Sequence, residues 1–587
     1  MTVTRNEILT SLASRRESTR KRQPFLVGRT IAAYLVLPRM TIAHDLLRMK
    51  LAESLATEPP ALTRRDVVLP AVPGKAFAVI GVRRGGKTSF LAQCRADRLA
   101  LGRSRESQLL FSLEDERLAG LTVADLGWLI EEHARQFPEV RAAGGMTFYL
   151  DEVQTVPGWE GLVRRLMDEG GVELFVSGSS AKLLSREVAT SLRGRAMEVL
   201  VHPFSFREAL RHAGAEPTEP LERLGATKRA ALDQRLRRYL AEGGFPEAQG
   251  ASAGDRAALL SSYVDVVVLR DVIERHAVSN PLALRWIERQ LLANPGGSFS
   301  VKKHYDTLRS QGVAVGKDTL HNYLAYLEDA FLVRTVAMHS ASERQRMVNP
   351  RKAYPVDPGL IALFERSGRT HHGRALETAV LLELERRGYE VAYVRTPEGF
   401  EVDFLAHRAG DAPLLLQVCL ESEGDDTWER ELRALEAAAA AHPDARPLIV
   451  SLDALPPRRP LPGGLAWAPA ACWLLEEMSS NAGSSSMSPS RPTPSTRRRR
   501  ERSCTRIPEA STHADEADHS QLQALRRGRD RARRPRGLRR SEQLGENLGL
   551  ARARPVGHRR QAMGRGGGRA PPSEPRRSRP ATDLACP

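Results

Sequence analysis

Residues 81–88 read Gly-Val-Arg-Arg-Gly-Gly-Lys-Thr, a complete G-x-x-x-x-G-K-[ST] loop, and they follow the apolar run Phe77-Ala78-Val79-Ile80. Such a loop is built to hold phosphate. Gly81, Gly85 and Gly86 let the backbone turn tightly, so that the N–H groups of Val82, Arg83, Arg84 and their neighbours point inward. Lys87 then reaches the β- and γ-phosphates, the Thr88 hydroxyl takes a place on Mg2+, and Ser89 completes the binding stretch as the next helix begins. The expected ligand is ATP with Mg2+.

A second half of the site is expected where Met146-Thr147-Phe148-Tyr149-Leu150 ends in Asp151-Glu152. An acid at the C-terminal end of a parallel strand lies beside the phosphates, because ligands in open α/β sheets sit beyond the strand carboxyl ends. Asp151 would hold Mg2+ directly or through water. Glu152 is the natural general base, polarising the attacking water. The next apolar run, Glu173-Leu174-Phe175-Val176, leads into Ser177-Gly178-Ser179-Ser180. Ser177 and Ser179 can both sense the γ-phosphate from there; Ser179, taken as the catalytic candidate, also suits a helix N-cap. Arg195, in Leu192-Arg193-Gly194-Arg195, could serve as an arginine finger in trans within a homo-oligomer, or form a surface ion pair in a monomer.

These motifs in order, GVRRGGKT, FYLDEVQTVPGW, LFVSGSSAKLLS, LRGRAMEVLVHPFSFREAL and LAEGGFPEA, resemble the prokaryotic AAA-type ATP-binding proteins with a C-terminal domain of unknown function. The resemblance covers roughly residues 60 to 478. It implies ATP as ligand and an AAA-type core, and no biological role.

The elements that must position these residues are an α/β core of alternating strand and helix signals over residues 66–205, preceded by a leader at 1–65. Residues 206–290 read as helical from Leu232, Leu236 and Leu240, four apart on one face, with Tyr263 to Arg275 able to form a helix or a strand. Residues 291–345, with a helix just before them at 284–292, read as winged-helix-like: two further helices at 300–310 and 317–327, then a β-like run at 331–336. Lys317, Thr319, His321 and Asn322 on the third helix could reach base edges or phosphates of DNA, although such units also serve as protein-packing modules and Asp318 and Glu328 dilute the charge here.

Residues 346–478 follow the metal-dependent nuclease order PD-(D/E)xK: Glu377 and Glu383 on one helix, then Glu401-Val402-Asp403, then Gln417-Val418-Cys419. Cys419 stands where the lysine belongs, so an inactive relative of the nuclease fold is expected, with Glu377, Asp403 and Gln417 as its metal-capable groups.

The net charge of +17 is not spread along the chain. From residue 481 onward there are 25 Arg, no Lys, ten Asp or Glu, and no Phe, Trp or Tyr. That stretch, residues 479–587, cannot bury enough apolar surface to order itself and is expected to be a disordered tail. Its clusters suit polyanion contact, yet its composition reads more readily as sequence translated beyond the natural end of the last domain. The five cysteines include no C-x-x-C pair, which argues against a disulfide framework or zinc site. No apolar run reaches membrane-spanning length and the N-terminus lacks a signal-peptide core, so a cytoplasmic protein without membrane contact is expected.

Overall fold

The computed structural model describes residues 44–178, 194–365, 372–421 and 425–476. The first sheet comprises β1 (Ala76–Ile80), β2 (Gln108–Ser112), β3 (Met146–Asp151), β4 (Val172–Gly178) and β5 (Ala196–Leu200), in the spatial order β2-β3-β4-β1-β5. Every neighbouring pair is parallel. Each residue of β1 and β3 is buried, as strands covered by helices on both faces must be. Alternate side chains divide between two cores. Phe77, Val79, Tyr149 and Phe175 meet Phe90 and Leu91 of α1 (Lys87–Ala100). Ala78, Ile80, Phe148 and Leu150 meet α2 (Val123–Gln136) and α3 (Trp159–Glu169) through Leu126, Leu129 and Val163.

Because β4 and β5 flank β1, the loop after β1 opens into a crevice at the carboxyl ends of the strands, where this class of sheet binds ligands. The helix at residues 44–56 buries Leu47 and Leu51 in the same core, so this part of the expected leader is packed onto the sheet.

A run of helices follows: α4 (Phe206–His212), α5 (Ala226–Glu242), α6 (Ala253–Val266), α7 (Pro281–Ala293), α8 (Val301–Ser310) and α9 (Lys317–Asp329). Their starts are locally encoded. Ser205 and Glu208 make a capping box on α4, Ser252 caps α6, and Asn280 caps α7 with Pro281 in the first turn. The ambiguous stretch from Tyr263 to Arg275 is helical throughout, but widens to π-helical bonding over Val267–Glu274. Val264, Val268 and Val272 connect the sheet core to Leu284, Ile287, Leu320 and Leu327, so α7 and α9 share one continuous apolar core with the first sheet.

The second sheet has eight strands: β6 (Ser298–Phe299), β7 (Val333–Met338), β8 (Arg351–Pro355), β9 (Glu390–Arg395), β10 (Glu401–His407), β11 (Leu414–Cys419), β12 (Arg446–Ser451) and β13 (Ala466–Pro469), in the order β13-β12-β11-β10-β9-β7-β8-β6. Residues 281–355 thus hold α7, α8 and α9, the short strand β6, the antiparallel pair β7 and β8, and a short helix, Glu343–Val348, between that pair. α10 (His372–Arg386) covers one face of the following strands and α11 (Asp425–Ala441) the other. The Gly243-Gly244-Phe245-Pro246 motif is a close approach of backbones. A side chain at Gly244 would overlap the Phe204 carbonyl, and the Gly244 N–H donates to the buried Asp357 carboxylate at 2.6 Å. The Arg-rich stretch after residue 478 lies outside the described residues.

Candidate functional site

The loop residues stand where the sheet topology requires them. Gly81 has φ 148° with its α-carbon against Val201, where any side chain would overlap the Val201 carbonyl. Gly86, with φ 99°, is the N-cap of α1; no side chain caps that helix and no acid lies in its first turn. The first-turn N–H groups therefore face the loop, an arrangement that favours an anion. Lys87 is 5% exposed and donates to the carbonyls of Gly81 and Val82, each at 3.2 Å. Burial lowers the affinity of its ammonium for the proton, while Glu152 and Asp151 oppose that shift. An ammonium held by two neutral carbonyls inside the loop fits a phosphate-binding group, because these weak partners yield to an anion. Val82 and Gly85 are buried, while Arg84, Thr88 and Ser89 are exposed.

The acids converge on the same place. The Thr88 hydroxyl donates to Asp151 Oδ2 at 2.7 Å, and the Ser177 hydroxyl donates to Asp151 Oδ1. The Glu152 N–H in turn donates to Ser177 Oγ at 3.0 Å. Asp151, 3% exposed, is thus held by two neutral hydroxyls with no ion-paired cation among the described residues, a donor set that fits Mg2+ shared by Thr88 and Asp151. Glu152 is a non-glycine residue with φ 54°, a conformation that recurs where a site holds a side chain in place. Its carboxylate lies 4.0 Å from the Lys87 ammonium and accepts a hydrogen bond from the Gln154 amide. Burial pushes its proton affinity above the ordinary carboxylate range, against the pull of Lys87, as suits a base.

Register explains Ser177. β4 lies between β3 and β1, pairing Ser177 with Val79 and bringing its hydroxyl to Asp151. Ser179, the other candidate on this strand tip, lies outside the described residues. Arg195 precedes β5, at the opposite end of the sheet from the loop, and its guanidinium pairs with Asp168 at 2.5 Å. It does not reach the site of its own chain.

Sequence reasoning missed three further groups. Arg65, 4% exposed, donates to the Gly85 carbonyl at 3.0 Å and pairs with Glu208 at 3.1 Å, bracing the loop from beneath. Gln154 holds Glu152, and Asp271 holds Arg83. Asp271 lies 188 residues from its partner, so no local pattern could have pointed to it.

In the C-terminal half, two of the expected acids meet a lysine from another strand. Lys352 of β8 is 2% exposed and lies 2.9 Å from Glu401, 3.1 Å from Asp403 and 3.4 Å from Glu377, while the Tyr354 hydroxyl donates to Glu377 at 2.7 Å. Burial and the neighbouring Asp403 push Glu377 up to about 7. Two of the expected metal-capable groups therefore meet, but around an ammonium. Gln417 is engaged elsewhere, accepting from the Asp403 N–H and donating to Glu431. Glu383 pairs with Arg387 and Arg386, and the buried Cys419 thiol donates to the Glu421 carbonyl. Among the described residues no group of three or more His, Cys, Asp or Glu is arranged to hold a metal ion. Lys317, His321 and Asn322 are exposed on α9, with Thr319 half-buried. Among the described residues no helix is long and apolar enough to cross a membrane.

Residues 73–210 match the AAA domain family, and residues 233–369 match a domain of unknown function (DUF8612). An uncharacterized protein of Methanocaldococcus jannaschii is 32% identical over 379 residues, covering 64% of this chain and 81% of that protein. An uncharacterized protein of Haemophilus influenzae is 31% identical over 344 residues, covering 58% of this chain and 82% of that protein. A Walker-type ATPase of Pyrococcus abyssi aligns over 55% of this chain and 95% of its own, at 16% identity and a TM-score of 0.29.

Proposed function

We propose, from the premise that this chain is an AAA-domain protein belonging to the same family as its Methanocaldococcus jannaschii relative, that it binds and hydrolyses ATP and uses the cycle to switch its C-terminal half. The observation that carries the reading is the chain Thr88–Asp151–Ser177–Glu152 beside the buried Lys87, at the carboxyl ends of three adjacent strands. Residues 81–89 enclose the phosphates, with the first-turn N–H groups of α1 and the Lys87 ammonium offsetting their charge. Thr88 and Asp151 would hold Mg2+, which when bound would supply positive charge to offset that of the phosphates. Glu152 takes the proton of the attacking water, and Ser177 keeps its backbone and Asp151 in register. Ser179 remains a candidate for the γ-phosphate.

Titration of the purified chain with a fluorescent ATP analogue, together with phosphate release by wild type and Glu152→Gln, tests this reading. Binding by both and turnover only by wild type is the expected result. Absence of nucleotide binding by the wild type rejects it.

A second reading, DNA contact gated by ATP, is favoured by one feature: Lys302, Lys303, Arg309 and Lys317 are all exposed on α8 and α9. Phosphate contacts of this kind weaken steeply with salt. Retention of duplex DNA by the full chain at low salt, lost on reversing Lys302, Lys303 and Lys317 to Glu, is the outcome this reading requires.

A further inference from the structure

Both arginines of the phosphate loop are held by acids of the helical region that follows the core. Arg84, with φ 65°, donates to Glu247 at 3.1 Å, and Glu247 also accepts the Tyr263 hydroxyl of α6. Arg83 donates Nε and Nη2 to the two oxygens of Asp271 at 3.2 and 3.4 Å, and Nη1 to Glu114 at 3.1 Å. Asp271 is only 2% exposed, and Arg275 stands 3.7 Å from Oδ1, the oxygen that also accepts Arg83 Nη2. A buried carboxylate is tolerable while a guanidinium stays with it and costly when that partner leaves.

Asp271 also sits in an unusual piece of backbone. Val267–Glu274 continues α6 with i→i+5 bonding for eight residues. Such π segments are rare, less favourable than α-helix, and concentrated at functional sites. This one buries Val267, Val268 and Val272 in the core shared with α7 and α9. A change of its register would therefore reach the C-terminal half through packed side chains.

We propose that the Arg83–Asp271 pair is the positioning link through which a γ-phosphate in the loop sets the helical register of residues 267–274. This rests on the ATP reading above. In the structure Arg83 is committed to Asp271 and Glu114, and the π segment is pinned against the loop. A γ-phosphate places a second anion within reach of the Arg83 guanidinium and close to Asp271, whose charge already acts on the Lys87 ammonium. As Arg83 divides between the two anions, its hold on Asp271 weakens. The segment then relaxes toward ordinary i→i+4 bonding, with Asp271 turning to Arg275. A diphosphate lacks the group that competes for Arg83 and leaves the pinned state in place.

Amide hydrogen exchange of the full chain, without nucleotide, with Mg2+ and ADP, and with Mg2+ and a non-hydrolysable ATP analogue, tests the link. Exchange at 267–275 should slow by at least about fivefold with the triphosphate and not with ADP. In Asp271→Asn that response should vanish while analogue affinity stays within about tenfold of wild type, and in Arg83→Gln the response should vanish as well. Arg83→Lys, which keeps the charge but not the two-point contact, serves should those variants fail to fold, and its response should be reduced. Unchanged exchange at 267–275 with the analogue demonstrably bound overturns the link and leaves the ATP reading standing. So does a variant that melts earlier yet keeps the full nucleotide response, since the pair would then be only structural. Failure of wild type to bind the analogue rejects the ATP reading itself.

Discussion

Two buried lysines among carboxylates, Lys87 in the phosphate loop and Lys352 on β8, sit in opposite electrostatic settings. Lys87 donates to neutral carbonyls, and its acidic neighbour Asp151 is held by hydroxyls, so each charge is kept in place by a partner that a ligand can displace. Lys352 touches three carboxylates directly. Burial disfavours both ammonium groups; at Lys87 that effect prevails, whereas at Lys352 the charges of Asp403, Glu377 and Glu401 overcome it and raise its proton affinity. In the site suited to an external ion, hydrogen bonds to the charges come from neutral groups and the Glu152 carboxylate stands off from Lys87 at 4.0 Å. A cluster that joins unlike charges has already supplied its own ion, which leaves Glu377 and Asp403 without the open valence that a divalent metal would need.

The sharpest way to break this contrast is Lys87→Ala. Removing a charge-assisted donor to the phosphates should cost about 100-fold or more in ATP affinity, measured by titration, whereas Arg84, paired outward with Glu247, should be dispensable for binding. An unchanged affinity would show that the loop holds nothing through Lys87. Glu152→Gln should keep binding and lower turnover by about 10²–10⁴-fold, the span expected for loss of a general base. Hydrolysis at the wild-type rate would remove Glu152 from that role.

Lys352→Met should leave ATP binding intact but destabilise the chain by about 3–5 kcal/mol in denaturant unfolding, because three carboxylates lose their buried counter-charge. The wild type should not nick supercoiled plasmid with Mg2+ or Mn2+, with or without ATP, since the Lys352 ammonium is tied up in the cluster. Nicking that Asp403→Ala abolishes would reverse the assignment.

The smallest effect concerns Asp357, a fully buried carboxylate whose hydrogen bonds come from neutral backbone N–H groups of Gly244 and Gly359. Burial pushes it from 3.8 up to about 6, only partly offset by those donors and by Arg386. The folded state therefore binds this proton more tightly than the unfolded chain does. Its contribution to stability is complete below pH 3.8 and is lost as pH rises through about 6. Asp357→Asn should flatten the fall of the melting midpoint over that window; an identical slope in wild type and variant would assign the pH dependence to other groups.

Local sequence carried the phosphate loop because all its groups lie within nine consecutive residues, and backbone geometry alone turns them toward one point. The strand before it, Asp151-Glu152 at the end of β3, and the capped helices were legible for the same reason: alternation, caps and glycines act over a few residues. Between Ser177 and Ser179 the local pattern was indifferent. The parallel register of β4 against β1 and β3 put Ser177 on Asp151. Arg195 looked near the site in sequence, yet it precedes a parallel strand and so belongs to the far end of the sheet.

The amino-acid sequence by itself thus determined the glycine-rich loop, the acids at the neighbouring strand end and the α/β core that carries them, since short-range spacing encodes all three. Only the tertiary structure decided that Lys352 joins acids 25 and 51 residues away, and that Asp271 grips an arginine 188 residues earlier. Those pairings depend on which strands and helices become neighbours. That choice is made by the burial of a whole core, and no short stretch of sequence contains it.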